Sequence, residues 1–164
     1  MDRRYPPLSP ALRAQLEVIT PSGGLYYPCL ASLNDGTQID RVYLARAERW
    51  FLTWGVWPGQ DRGKRAIDIR DVGAVRESPS RLPAAFADQL YRAGESGMGY
   101  TIFTVRFRDG SSTAVVTGNA VDFIDYPPGQ ALATVVEIVP HLGRDDPGLI
   151  ESPGYYWCLY GGDD

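Results

Sequence analysis

The chain has 164 residues, 44% of them hydrophobic and 22% charged, with a formal net charge of −4. This composition excludes a disordered chain, and the length is that of one domain with its own core. The sixteen basic residues are scattered, with no stripe that would track a phosphate backbone, which argues against nucleic acid as a partner.

In chain order, Ser9-Pro10 followed by Leu12 and Leu16 reads as a capped leading helix over 11–18, stopped before Pro21. Residues 26–33 and 37–44 are two β-type runs around Asn34-Asp35-Gly36, whose glycine supplies positive φ, and predict a hairpin. Residues 50–57 and 66–75 read as further strands, separated by a glycine- and proline-marked loop. Pro83, the recurrence of Leu82, Phe86 and Leu90, and a closing Gly94 predict a helix over 83–93. Phe103, Val105 and Phe107 alternate with Thr104, Arg106 and Arg108 ahead of Asp109-Gly110, which predicts a second hairpin over 100–117. Residues 131–139 fit a helix or a strand, with the helix preferred, and the aromatic stretch 155–160 is expected to pair as a last strand.

Aligning the two Asp-Gly turns sets Ser22, Gly23, Tyr26, Asp35 and Gly36 on Ser96, Gly97, Tyr100, Asp109 and Gly110, all at a spacing of 74. The inward-facing parity agrees, with Tyr27, Cys29, Ala31 and Leu33 opposite Thr101, Phe103, Val105 and Phe107. Two readings follow: duplicated units over 22–44 and 96–118, or two unrelated hairpins that share identities because the turn aligned them. The expected fold is a single α+β domain over 1–164, mainly antiparallel β. Its two hairpins and further strands form a bent sheet or small barrel with the 83–93 helix packed on it.

No apolar stretch reaches membrane-spanning length, and no apolar run follows Arg3 and Arg4, so neither an anchor nor a secretory signal is expected. Cys29 and Cys158 lack metal spacing and read as buried thiols of a cytoplasmic protein, with a disulfide between them as the alternative. Lys64 is the only lysine, a bias that a GC-rich bacterial genome produces.

Three motifs invite a chemical reading. Gly94-Glu95-Ser96-Gly97-Met98-Gly99 places a serine among glycines but has Met98 where a nucleophile elbow needs glycine. Gly59 through Lys64 resembles a phosphate loop but has too few residues between its glycines and no Ser or Thr after the lysine. Asn119, Asp122 and Asp125 offer oxygens without the spacing of a calcium loop, or else end the hairpin and cap the next turn. One histidine and two distant cysteines propose no zinc site, and no metal or cofactor is expected. The aromatic groups Trp50, Phe51, Trp54, Trp57 and Tyr155, Tyr156, Trp157, Tyr160 are too dense for one face of a strand, so they fill a core or form a partner surface.

The resulting expectation is a non-enzymatic protein-binding module, of the inhibitory, toxin-neutralising or immunity type, acting through Trp50, Trp54, Trp57, Tyr155 and Trp157. The alternative is a small hydrolase or a metal- or small-molecule-binding enzyme with a pocket around Ser96, Asp122 and His141, supported by Glu95 and Asn119. Oligomeric state and the partner's identity are not encoded in any motif.

Overall fold

The structure is a computed structural model that describes residues 5–143 and 148–162. The chain divides into two compact units, the first running to Ser78 and resuming at Gly154, the second spanning Pro79–Pro153. Both are α+β, and each holds a four-stranded sheet of mixed but mostly antiparallel pairing. The α+β, mainly antiparallel expectation holds, but the two hairpins belong to separate four-stranded sheets and not to one bent sheet, and among the described residues neither sheet closes into a barrel.

In the first unit, helix α1 (Pro10–Glu17) starts as its sequence dictates. The Ser9 hydroxyl accepts from Leu12 N at 3.2 Å and proline takes the first position. Its Leu12 and Leu16 are buried with Cys29, Ala31, Val42, Leu44, Val72, Val75 and Cys158 in one apolar core. Strands β1 (Tyr27–Leu33) and β2 (Gln38–Arg46) form the first hairpin, which leads into helix α2 (Ala47–Trp54). Strand β3 (Val72–Glu77) pairs antiparallel with β1, and β8 (Tyr156–Tyr160) pairs parallel with β2, giving the order β3-β1-β2-β8.

In the second unit, helix α3 (Ala84–Ala93) precedes the hairpin of β4 (Thr101–Phe107) and β5 (Ser112–Thr117). Strand β6 (Val135–Pro140) flanks β4 antiparallel and β7 (Ile150–Glu151) flanks β5 parallel, giving β6-β4-β5-β7. Leu82, Ala87 and Leu90 pack with Phe103, Val105, Phe107, Val115 and Ile138 in this unit's core.

Hydrogen bonds recur between the units at fixed spacings. Leu33 N reaches Thr37 O at 2.7 Å, and Phe107 N reaches Ser111 O at 2.9 Å. Asp35 Oδ1 accepts from Thr37 N, as Asp109 Oδ1 does from Ser111 N, both at 2.9 Å. Ser22 N bonds Tyr26 O at 2.9 Å and Ser96 N bonds Tyr100 O at 3.0 Å. The pairing of β1 with β3 slips between Ser32 and Leu33, and that of β4 with β6 slips between Arg106 and Phe107. All of these lie 74 positions apart. Asn34 N to Asp71 O (2.8 Å) is matched by Arg108 N to Thr134 O (2.9 Å), so the spacing on the third strand is 63. The connection before the third strand is therefore eleven residues longer in the first unit, and that stretch carries α2.

Three local expectations are corrected. Residues 50–57 do not form a strand. Ala47, Trp50 and Trp54 share one face of α2, and Gly55 at φ 73 ends it by donating to Phe51 O at 2.7 Å. The stretch 66–75 is not one continuous strand: Ala66 makes a parallel bridge to Trp157, and the regular strand starts only at Val72. Ile69–Asp71 is a 3₁₀ turn capped by Asp68, whose carboxylate accepts from Arg70 N at 2.9 Å. The preferred helix over 131–139 is strand β6, preceded by a 3₁₀ turn at Leu132–Thr134. Val135, Val136, Ile138 and Val139 are β-branched, and pairing with β4 settles an ambiguity that periodicity leaves open. No helix among the described residues is long and apolar enough to cross a membrane.

Candidate functional site

The aromatic residues assemble within the first unit. Parallel pairing of β2 with β8 sets Tyr43 beside Trp157, and their rings stack at 4.9 Å with 26° between planes. Tyr26, just before β1, lies 5.3 Å from Tyr43 and 5.5 Å from Trp157. Tyr155 meets the same two rings edge-on at 5.0 and 5.4 Å. Helix α2 lays Trp50 and Trp54 over Trp157 at 5.5 and 5.2 Å. These offset and edge contacts are the arrangements that the ring quadrupoles favour.

Trp50, Tyr43 and Trp157 are fully enclosed, so of the five expected binding residues Trp50 and Trp157 sit in the interior. Trp54, Trp57 and Tyr155 are half-buried and reachable. The Nε1 of Trp50 is buried with no hydrogen-bond partner among the described residues. The Nε1 of Trp54 instead donates to the Tyr26 hydroxyl at 3.0 Å, and the Lys64 ammonium sits 4.9 Å from the Trp54 ring centroid. Lys64 is also bonded to Asp61, which accepts from Gly63 N at 2.9 Å as well, so the loop that resembles a phosphate cradle is closed on its own carboxylate.

A second stack lies beyond α2. Phe51 and Trp57 are 4.4 Å apart at 30°, and Tyr5 lies 5.3 Å from Trp57. Leu52 projects from the opposite side of α2 to Trp50 and Trp54 and is 85% exposed. The strand reading of 50–57 hides this residue. The 3–4 spacing of Ala47, Trp50 and Trp54 ahead of Gly55 is the signal that finds it.

The residues of the enzymatic alternative lie in the second unit, where Ile102 O accepts from both the Ser96 hydroxyl, at 3.3 Å, and His141 N, at 2.9 Å. The Ser96 hydroxyl accepts from Ile102 N at 2.7 Å and lies 3.3 Å from Ile102 O, which makes it a brace across the turn before β4. Glu95 accepts from Gly99 N at 3.0 Å in the same turn. Asp122 is fully buried and accepts from the Tyr91 hydroxyl at 2.5 Å, while that hydroxyl accepts from Val121 N at 3.2 Å. His141 Nε2 is 2.7 Å from Thr104 Oγ1. A nucleophile needs a base within hydrogen-bond reach, and among the described residues no hydrogen bond joins the Ser96 hydroxyl to the His141 ring. Asn119 is exposed and is not at positive φ; outside glycine, the described residue with that conformation is Arg41, at φ 60.

Arg81 is buried in a segment that bridges to Phe123 and whose Leu82 N donates to Asp122 O at 2.7 Å, and its Nε donates to Leu82 O at 3.1 Å. Tyr126 donates to Arg81 O at 2.6 Å, and burial pushes its phenol well above the ordinary tyrosine range. Among the described residues no three His, Cys, Asp or Glu side chains converge as metal ligands. Comparison of the chain with protein-family models, curated proteins and solved structures gives no match in any of the three.

Proposed function

We propose that the chain is a non-enzymatic protein-binding module, an inhibitory or immunity-type protein of a bacterial cytosol, whose contact face is α2 and the loop after it. The observation that carries this reading is Leu52, 85% exposed on a helix that also presents the half-buried Phe51–Trp57 stack. Leucine in water beside rigid aromatic rings is the composition of an interface anchor, because covering it removes apolar area at little entropic cost. Trp50, Trp54, Tyr155 and Trp157 pack on the inner side of α2 and support the face from beneath.

The location strengthens the argument. The two units are read as copies of one helix–hairpin–strand segment, and α2 lies in the stretch that the first copy has and the second lacks. In the second unit no helix intervenes between β5 and the turn at Leu132–Thr134. An added segment rich in aromatics, on a core that each unit completes with its own leading helix, is where a specific partner would be engaged. Two buried cysteines that form no disulfide agree with a reducing compartment.

Affinity capture from the native host, quantified for the wild type against Leu52→Asp and Trp57→Ala, tests the proposal. A defined protein should be enriched by the wild type and lost with both variants, and its purified form should bind the wild type directly. Equal capture by all three proteins contradicts it.

A further inference from the structure

A separate feature of the first unit, apart from the α2 face, is a cleft of about 270 Å³ where α1 meets the end of β8. Its apolar surface comes from Leu8 and Leu16, and two phenols, Tyr27 and Tyr160, line it. Arg13 and Glu17 reach it from one side of α1, and Arg46 reaches it from the end of β2, beside its register neighbour Tyr160. Gly161 and Gly162 complete the wall. A Cβ on Gly162 would fall 2.2 Å from Arg46 Nη2, so the glycine lets the guanidinium lie against bare backbone.

We propose that this cleft binds a free α-amino acid with an apolar side chain. The Arg46 guanidinium, whose Nη2 lies 3.5 Å from the solvent-exposed Glu48 carboxylate, has further donors in its planar fork that match a ligand carboxylate, with the positive charge of Arg13 beside it on the cleft wall. Glu17 belongs to no ion pair among the described residues and supplies the counter-charge for an ammonium. Leu8 and Leu16 receive the side chain. Tyr160 is only 9% exposed, yet its hydroxyl has no hydrogen-bond partner among the described residues, leaving a donor for the carboxylate. Burial raises the Tyr160 phenol to about 12, which keeps that donor protonated at neutral pH. The volume lies just under the range of about 300–1,000 Å³ usual for drug-sized ligands, so it admits a single amino acid and not a peptide. A phosphate dianion would face Glu17 with no apolar group to place on the leucines.

The test is calorimetric titration of the full chain with L-leucine and L-phenylalanine, with leucinamide, N-acetyl-leucine and inorganic phosphate as the other arms. Saturable binding of an apolar amino acid is expected, weakened about tenfold or more when the carboxylate or the ammonium is masked. Arg46→Gln should weaken it by a similar factor and Tyr160→Phe by less, while the melting temperature of the unliganded protein is kept. Should Arg46→Gln not fold, Glu17→Gln on the exposed side of α1 gives the same reading through the ammonium. No saturable response up to about 10 mM, equal binding of leucinamide or phosphate, or unchanged affinity in these variants would overturn the proposal.

Discussion

Trp54 Nε1 donates a hydrogen bond to the Tyr26 hydroxyl at 3.0 Å, tying the helix that bears the proposed contact face to the turn that begins the first hairpin. Tyr26 is buried, so its hydroxyl has little water to turn to. Tyr26→Phe keeps the ring packing and strands the indole N–H. A loss of about 1–2 kcal/mol is expected in urea unfolding, with a shift in tryptophan fluorescence.

The two faces of α2 should respond oppositely to substitution. Trp157→Ala removes a fully buried ring that touches Tyr26, Tyr43, Trp50, Trp54 and Tyr155, and should cost about 3–5 kcal/mol. Leu52→Asp changes an exposed position and should stay within about 0.5 kcal/mol of wild type. Chemical denaturation of both variants reads the contrast, and a large loss for Leu52→Asp would show that this side chain is held by the fold.

The paired turns carry a pH dependence. Asp35 is held below the usual carboxylate range by hydrogen bonds from Thr37, and Asp109 by hydrogen bonds from Ser111 and then Gln130. A carboxyl with a lowered folded value stabilises fully above its unfolded value, and that contribution is lost as pH falls through the folded one. Asp35→Asn and Asp109→Asn should therefore each lower the urea midpoint near neutral pH, with the difference from wild type shrinking below about pH 4. The effect should be the larger for Asp109→Asn, since Asp109 accepts from Gln130 in addition to the turn bonds that both carboxylates make. A difference that grows on acidification would contradict the assignment.

Cys29 and Cys158 are fully buried and form no disulfide, one on each side of β2, where Cys29 pairs with Val42 and Cys158 with Leu44. Two strand spacings of about 4.8 Å separate them, beyond the reach of a disulfide. Burial first, and then the Asp68 and Asp71 carboxylates, push the Cys158 thiol up to about 12. A thiol reagent should leave the native protein unmodified at neutral pH and titrate both cysteines once it is unfolded. Rapid labelling of Cys158 in the native state would show that the β8 side of the core opens.

Both hairpins, the leading helix, α3 and the final strand were legible because each rests on local chemistry: a cap, a proline at a helix start, an Asp-Gly turn, a period of two. What failed was whatever tertiary contact decides. Val135 to Val139 satisfies two periods, and only β4 selects one of them. Around Trp50, aromatic richness mimics a strand and masks the 3–4 spacing of Ala47, Trp50 and Trp54 and the helix-ending Gly55. The site was legible in its residue types and less so in their exposure. Trp50 and Trp157 were grouped with Trp54 and Trp57, because a sequence cannot say which of several neighbouring rings lies under the others.

The most direct measurement is the dissociation constant between the purified chain and the protein it captures, compared across wild type, Leu52→Asp, Trp57→Ala and Ser96→Ala. Loss of at least about a hundredfold in the first two variants, with Ser96→Ala binding as wild type, is the expected result. Unchanged affinity for Leu52→Asp and Trp57→Ala would contradict a contact face built on α2.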